Sequence, residues 1–124
     1  MNSSLKDTAT KFLLLCASGH AHEAFPKYTS PQFRHHNPWF AADAESLMTA
    51  MDDNAAQHPD KTLEILHTLQ DGDMVATHSR VRMKPGQAEM AVVHLFRFEG
   101  DRIAELWDIG QQAPDNSPNR HGMF

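Results

Sequence analysis

The spacing of apolar positions changes once along the chain, near Lys61. Before that point Leu5, Ala9, Phe12, Leu13 and Cys16 recur at helical spacing, with Ser3 and Ser4 as caps and Gly19 as a stop. They predict an amphipathic helix. A shorter helix is predicted over His22–Tyr28, where Pro26 starts, kinks or splits it. Ser30-Pro31 then opens an extended segment, 32–39, and Asp43 caps a third helix carrying Leu47, Met48, Met51 and Ala55. Pro59 limits that helix.

From Lys61 onward the period is two. Thr62–Gln70, Met74–Met83, Ala88–Phe98 and Arg102–Gln111 read as strands, with turns at Asp71-Gly72-Asp73, Lys84-Pro85-Gly86 and Glu99-Gly100-Asp101. Helices followed by an antiparallel meander make an α+β domain, with about three helices packed on one face of a curved, mostly antiparallel sheet. Such a sheet leaves a cone-shaped cavity lined by inward strand residues, where a polar side chain needs a reason to be. The whole chain, 1–124, reads as one domain, and the Pro-, Asn- and Ser-rich stretch 113–124 reads as a loose tail.

The last hairpin holds the residues most in need of explanation. His94 and Asp108 stand in runs otherwise rich in Val, Ile, Phe and Trp, and Asp is disfavoured in strands. A two-residue Gly100-Asp101 turn would pair His94 with Trp107 and send Asp108 to the other face. A three-residue Glu99-Gly100-Asp101 loop would make His94 and Asp108 diagonal neighbours on one face, and this register is favoured. A carboxylate beside an imidazole in an apolar cavity suits proton transfer: the Asp as base, the His as its partner or as the acid.

Other candidates surround this pair. His35 and His36 must point opposite ways if extended, and His36, held by Asn37-Pro38, is taken as the inward one. His78 and Arg80, with Trp39 and Trp107, complete the expected ligand-binding set. A metal reading would use His36, His78, His94 and Asp108, but no close ligand pair appears, so neither a metal nor another cofactor is expected. Cys16 lies on the apolar face of the first helix and reads as core.

Charge narrows the partners. With a formal charge of -5, nucleic acid and anionic membrane are not expected partners. There is no apolar run of about 20 residues and no secretory leader pattern. The single cysteine fits a reducing compartment, so a cytoplasmic protein is expected. A meander this apolar has helices enough for one side only, which predicts a homodimer through the outer face.

His36-Asn37-Pro38, the run Arg97-Phe98-Glu99-Gly100-Asp101-Arg102-Ile103 and Glu105-Leu106-Trp107-Asp108 together resemble the SnoaL-like branch of the NTF2-like superfamily. The resemblance extends over nearly the whole chain and implies an α+β cone with a deep pocket, often dimeric through the sheet. Polyketide cyclases of that branch close rings by aldol condensation without a cofactor, using an aspartate in the last strand and a histidine in the strand before it. Asp108 and His94 match those positions, and His36 matches a polar position at the pocket mouth. The implied function is cofactor-free proton abstraction next to a carbonyl in a small hydrophobic substrate, of aldol cyclase, isomerase or dehydratase type. A non-catalytic ligand-binding or dimerisation module of the superfamily is the alternative.

Overall fold

The computed structural model describes residues 4–124. Three helices and five strands follow in the order α1 (Leu5–Ala17), α2 (Ala21–Tyr28), β1 (Thr29–His35), α3 (Ala44–Gln57), β2 (Thr62–Asp71), β3 (Met74–Arg82), β4 (Glu89–Glu99) and β5 (Arg102–Gln112). Ser4 caps α1, its Oγ accepting from the Asp7 N–H at 3.1 Å. Ser3 lies outside the described residues. Asp43 caps α3 in the same way, accepting from the Ser46 N–H at 2.8 Å. These short side chains stabilise helix starts by satisfying amide groups that have no partner within the helix. Pro26 sits inside α2 without splitting it.

The strands form one sheet in the order β1-β5-β4-β3-β2. All neighbours are antiparallel except β1, which runs parallel to β5. The extended segment expected at 32–39 therefore starts earlier, at Thr29, and leaves the sheet after His35. Three irregularities interrupt the ladders, between Thr29 and Arg34 in β1, between Ile65 and His67 in β2, and between Phe98–Ile103 and Arg97–Glu105 in the last hairpin. Extra residues of this kind bend a strand and increase its twist, as a curved sheet requires.

The helices cover one face. Phe12, Phe25, Phe33, Leu47, Phe96, Phe98, Ile103 and Leu106 are buried together there. Phe12 packs on Phe25 at 5.1 Å between ring centroids and meets Phe96 edge-on at 6.3 Å. Arg102, at the start of β5, donates to the carbonyls of Pro26, Lys27 and Thr29, which ties the sheet to the end of α2. No described helix is long and apolar enough to cross a membrane.

Candidate active site

Between α1, α3 and the inward face of the sheet lies a cavity of about 260 Å³. Leu13, Cys16 and Ala17 line it from α1, and Leu47, Ala50 and Met51 from α3. Leu63, Val81, Met83, Met90 and Val92 close the sheet side, and Phe40 contributes from the loop after β1. Besides the Cys16 thiol, five polar side chains interrupt this apolar wall: Asn37, Asn54, Lys61, His94 and Asp108.

The hairpin puts two of them face to face. Glu99 pairs with Arg102, so the loop has two residues, Gly100 and Asp101, and the expected three-residue loop is corrected. Gly100 adopts a φ of +62°, as the first position of such a tight turn demands. A two-residue turn alone would have sent Asp108 outward. Ala104 is the extra residue that shifts the phase, and both it and Ile103 are buried. Beyond that bulge His94 is directly opposite Asp108.

His94 Nε2 lies 3.5 Å from Asp108 Oδ1, and Asn37 Nδ2 donates to Asp108 Oδ2 at 2.9 Å. The second oxygen is thereby fixed while the first faces the imidazole. Burial depresses the His94 pKa; the Asp108 charge opposes that effect and Lys61 adds to it. The ring is therefore neutral at physiological pH. Its Nδ1 has no hydrogen-bond partner among the described residues. Nor does the buried hydroxyl of Thr77, the cross-strand neighbour of His94.

Lys61 enters the cavity just before β2, where its ammonium donates to Asn54 Oδ1 at 2.8 Å. Burial lowers its pKa, against the pull of Asp108 and of Cys16. Burial also pushes the Cys16 thiol strongly upward, with Asp52 adding to the effect, so Cys16 is a protonated wall residue. Neither Lys61 nor Asn37 was among the side chains expected to face the cavity. Lys61 shares the parity of Leu63 and Ile65 on the strand that follows it, which is the signal that could have found it.

Most of the other expected pocket residues lie elsewhere. His35, not His36, is the buried member of its pair; its Nε2 is 2.8 Å from the Ala41 carbonyl, and its Nδ1 accepts from the Asn37 N–H. His36 is on the outer face, stacked on Trp107 at 5.0 Å and 2.6 Å from Glu105. The His36 and Arg97 bonds hold the Glu105 carboxyl below the usual carboxylate range. In β3 the buried residues are Val75, Thr77, Ser79 and Val81, which turns His78 and Arg80 outward. His78 stacks on His67, and Phe124 from the tail lies 4.3 Å from the Arg80 guanidinium carbon. Trp39 is 83% exposed in its loop. Among the described residues no group of three or more His, Cys, Asp or Glu side chains is placed to hold a metal ion.

Residues 9–106 match the family model of the SnoaL-like domain. The chain belongs to that family. Solved structures share the SnoaL-like fold at low identity. IdmH from Streptomyces antibioticus, a candidate polyketide cyclase, is 22% identical with a TM-score of 0.71, covering 88% of this chain and 93% of its own. AclR from Streptomyces galilaeus, a candidate hydroxylase, is 19% identical with a TM-score of 0.71, covering 86% and 88%. An NTF2-like protein of unknown function from Cytophaga hutchinsonii is 15% identical with a TM-score of 0.71, covering 90% and 93%. No curated protein matches this SnoaL-like chain. The architecture is thus the α+β cone of the NTF2-like superfamily.

Proposed function

We propose that the protein abstracts a proton next to a carbonyl in a small, mostly apolar molecule, with Asp108 as base and His94 as its partner or as the acid. One arrangement carries the reading: a carboxylate anchored through one oxygen by Asn37, its other oxygen toward a neutral imidazole, at the wall of an apolar cavity. Enolisation needs a base near the acidic carbon and a donor near the carbonyl oxygen. Asp108 can take up the proton. Neutral His94 can hold Asp108 in place through Nε2–H, or donate that proton to the forming enolate. The same pair serves an aldol cyclase, an isomerase or a dehydratase. The cyclase name carried by one fold relative agrees with chemistry of this kind, and the hydroxylase name of another agrees with an enzymatic role only. We also propose that the active form is a homodimer joined through the outer face of the sheet.

The test is solvent deuterium exchange into a panel of small β-keto esters, cyclic ketones and keto acids. An asparagine in place of Asp108 keeps the shape and an acceptor for Asn37 but cannot take up a proton at neutral pH. Asp108→Asn should slow exchange by about 10²–10⁴, the usual worth of a placed base, with fold and oligomeric state unchanged. His94→Gln should cost less if His94 only orients Asp108, and as much if it donates to the oxyanion. Wild-type exchange rates in Asp108→Asn would remove Asp108 as base. Binding without exchange across the panel would favour a pocket that holds a ligand without turnover.

A further inference from the structure

Lys61 has no role in the chemistry described above, yet it is an unusual group to find where it is. It lines an apolar cavity, half-buried, and its one described hydrogen bond is to the neutral amide of Asn54. Among the described residues no carboxylate comes within ion-pair distance of it. A partly desolvated cation without a directly paired anion is a costly feature, and the cost falls when an anion comes into contact with it. The groups that share its cavity supply no ion-pair partner: Cys16 stays protonated and His94 stays neutral. Asp108, whose charge is felt at Lys61, is bonded to Asn37 and faces His94 from beyond ion-pair distance of the ammonium. The ammonium also has N–H groups beyond the one used by Asn54.

We infer that Lys61 is an anion anchor, and that the ligand is a small keto acid whose carboxylate sits on Lys61 while its carbonyl end meets Asp108 and His94. The inference rests on the proton-abstraction reading for the second half of that statement, but the anchor itself does not. Size limits the class further. A cavity of about 150 Å³ holds benzene, so about 260 Å³ accommodates one ring with a short chain. Protein-wide charge offers no general attraction for such a molecule, since the formal net charge is -5. Any preference for an acid over its ester has to arise locally.

The probes are 4-oxo-4-phenylbutanoate, its methyl ester and its primary amide, titrated into the protein at pH 7 by calorimetry or ligand-observed NMR. The acid should bind about tenfold or more tightly than the ester or amide, as a charge-assisted contact implies. Lys61→Met, which keeps the length and apolar stem, should erase that preference, and Lys61→Arg should keep part of it. Lys61→Gln retains a polar partner for Asn54, so it should lose the preference even if Lys61→Met fails to fold. Asp108→Asn should bind the acid at least as well as wild type. Equal binding of acid and ester by wild type, or a preference that persists in Lys61→Met or Lys61→Gln, overturns the anchor. Acid preference without deuterium exchange would instead count against Asp108 as base and leave the anchor standing.

Discussion

Asp52 does for α2 what no side chain of that helix does for itself. The α2 N-cap is His20, which makes no side-chain cap bond, and Asp52 reaches across from α3 instead. Its two oxygens accept from the Ala21 N–H at 2.8 Å and the His22 N–H at 3.2 Å, and it also pairs with the His22 ring. Burial works against the Asp52 charge, but the His22 and backbone bonds prevail and hold its pKa below 3.8. Replacing a capping carboxylate costs about 0.5–2 kcal/mol, so Asp52→Ala should lower the urea midpoint accordingly, and Asp52→Asn by less. A depressed carboxyl pKa contributes stability above its unfolded value and loses it as pH falls through the folded one. The gap between wild type and Asp52→Ala should therefore be full at pH 7 and close below pH 3.8. A gap that stays constant into that range would show that the charge contributes nothing. His94 behaves in the opposite sense. Its folded pKa lies below 6.5, so below that pH the unfolded chain takes up a proton that the native ring refuses. Wild type should lose more stability than His94→Gln as pH falls below 6.5, measured by the same urea titration.

At the scale of elements, the phase of each strand decided what could be read from the sequence. The helix and strand order was legible because its signals are local: Ser4 and Asp43 as caps, Pro59 as a limit, Gly72 and Gly100 in turns. The facing of His94 and Asp108 was legible only in outcome. The expected register used a three-residue loop, whereas the chain uses two residues and repairs the phase with Ala104. Alanine fits either face, so nothing in its identity marks a bulge. The outward facing of His36 was hidden for another reason. The register of β1 is set by a parallel partner far along the chain, where His35 pairs with the inward Leu106. By contrast, the outward facing of His78 and Arg80 was readable, because Val75 and Val81 share the opposite parity in β3. The hairpin makes its own prediction. A Cβ at Gly100 would meet nothing within 4 Å, so the penalty for Gly100→Ala is conformational alone. It should cost about 1–2 kcal/mol, while Gly100→Asn should cost less because Asn tolerates the left-handed region. Equal losses for the two in urea denaturation would mean that the turn relaxes to another conformation.

For the molecule as a whole, the two faces of the sheet divide the work. The inward face of β4 and β5 holds His94 and Asp108, and the outer face presents a cross-strand apolar strip, Val93 against Ile109 and Leu95 against Trp107. Ile109 is 57% exposed there, at the centre of a face that no helix covers. Polar groups border the strip: Arg97, Glu105 and His36 at one end, Arg80, Arg82 and Glu89 at the other. An apolar centre with a charged rim is the anatomy of a protein–protein interface. In the proposed homodimer a second copy of the same surface would cover it with two-fold symmetry, each strip meeting its own kind. The tail lies to one side, with Phe124 against Arg80 and His78, and leaves Ile109 open. Light scattering at micromolar concentration should therefore return a dimer. Ile109→Asp should weaken that dimer by at least about tenfold, since a charge buried without a partner costs more than about 1.4 kcal/mol. Ile109 and Asp108 point to opposite faces, so the variant should retain the preference of the cavity for an acid over its ester. A monomeric wild type would overturn the interface. Loss of ligand preference together with the dimer would show instead that the second copy holds the cavity in shape.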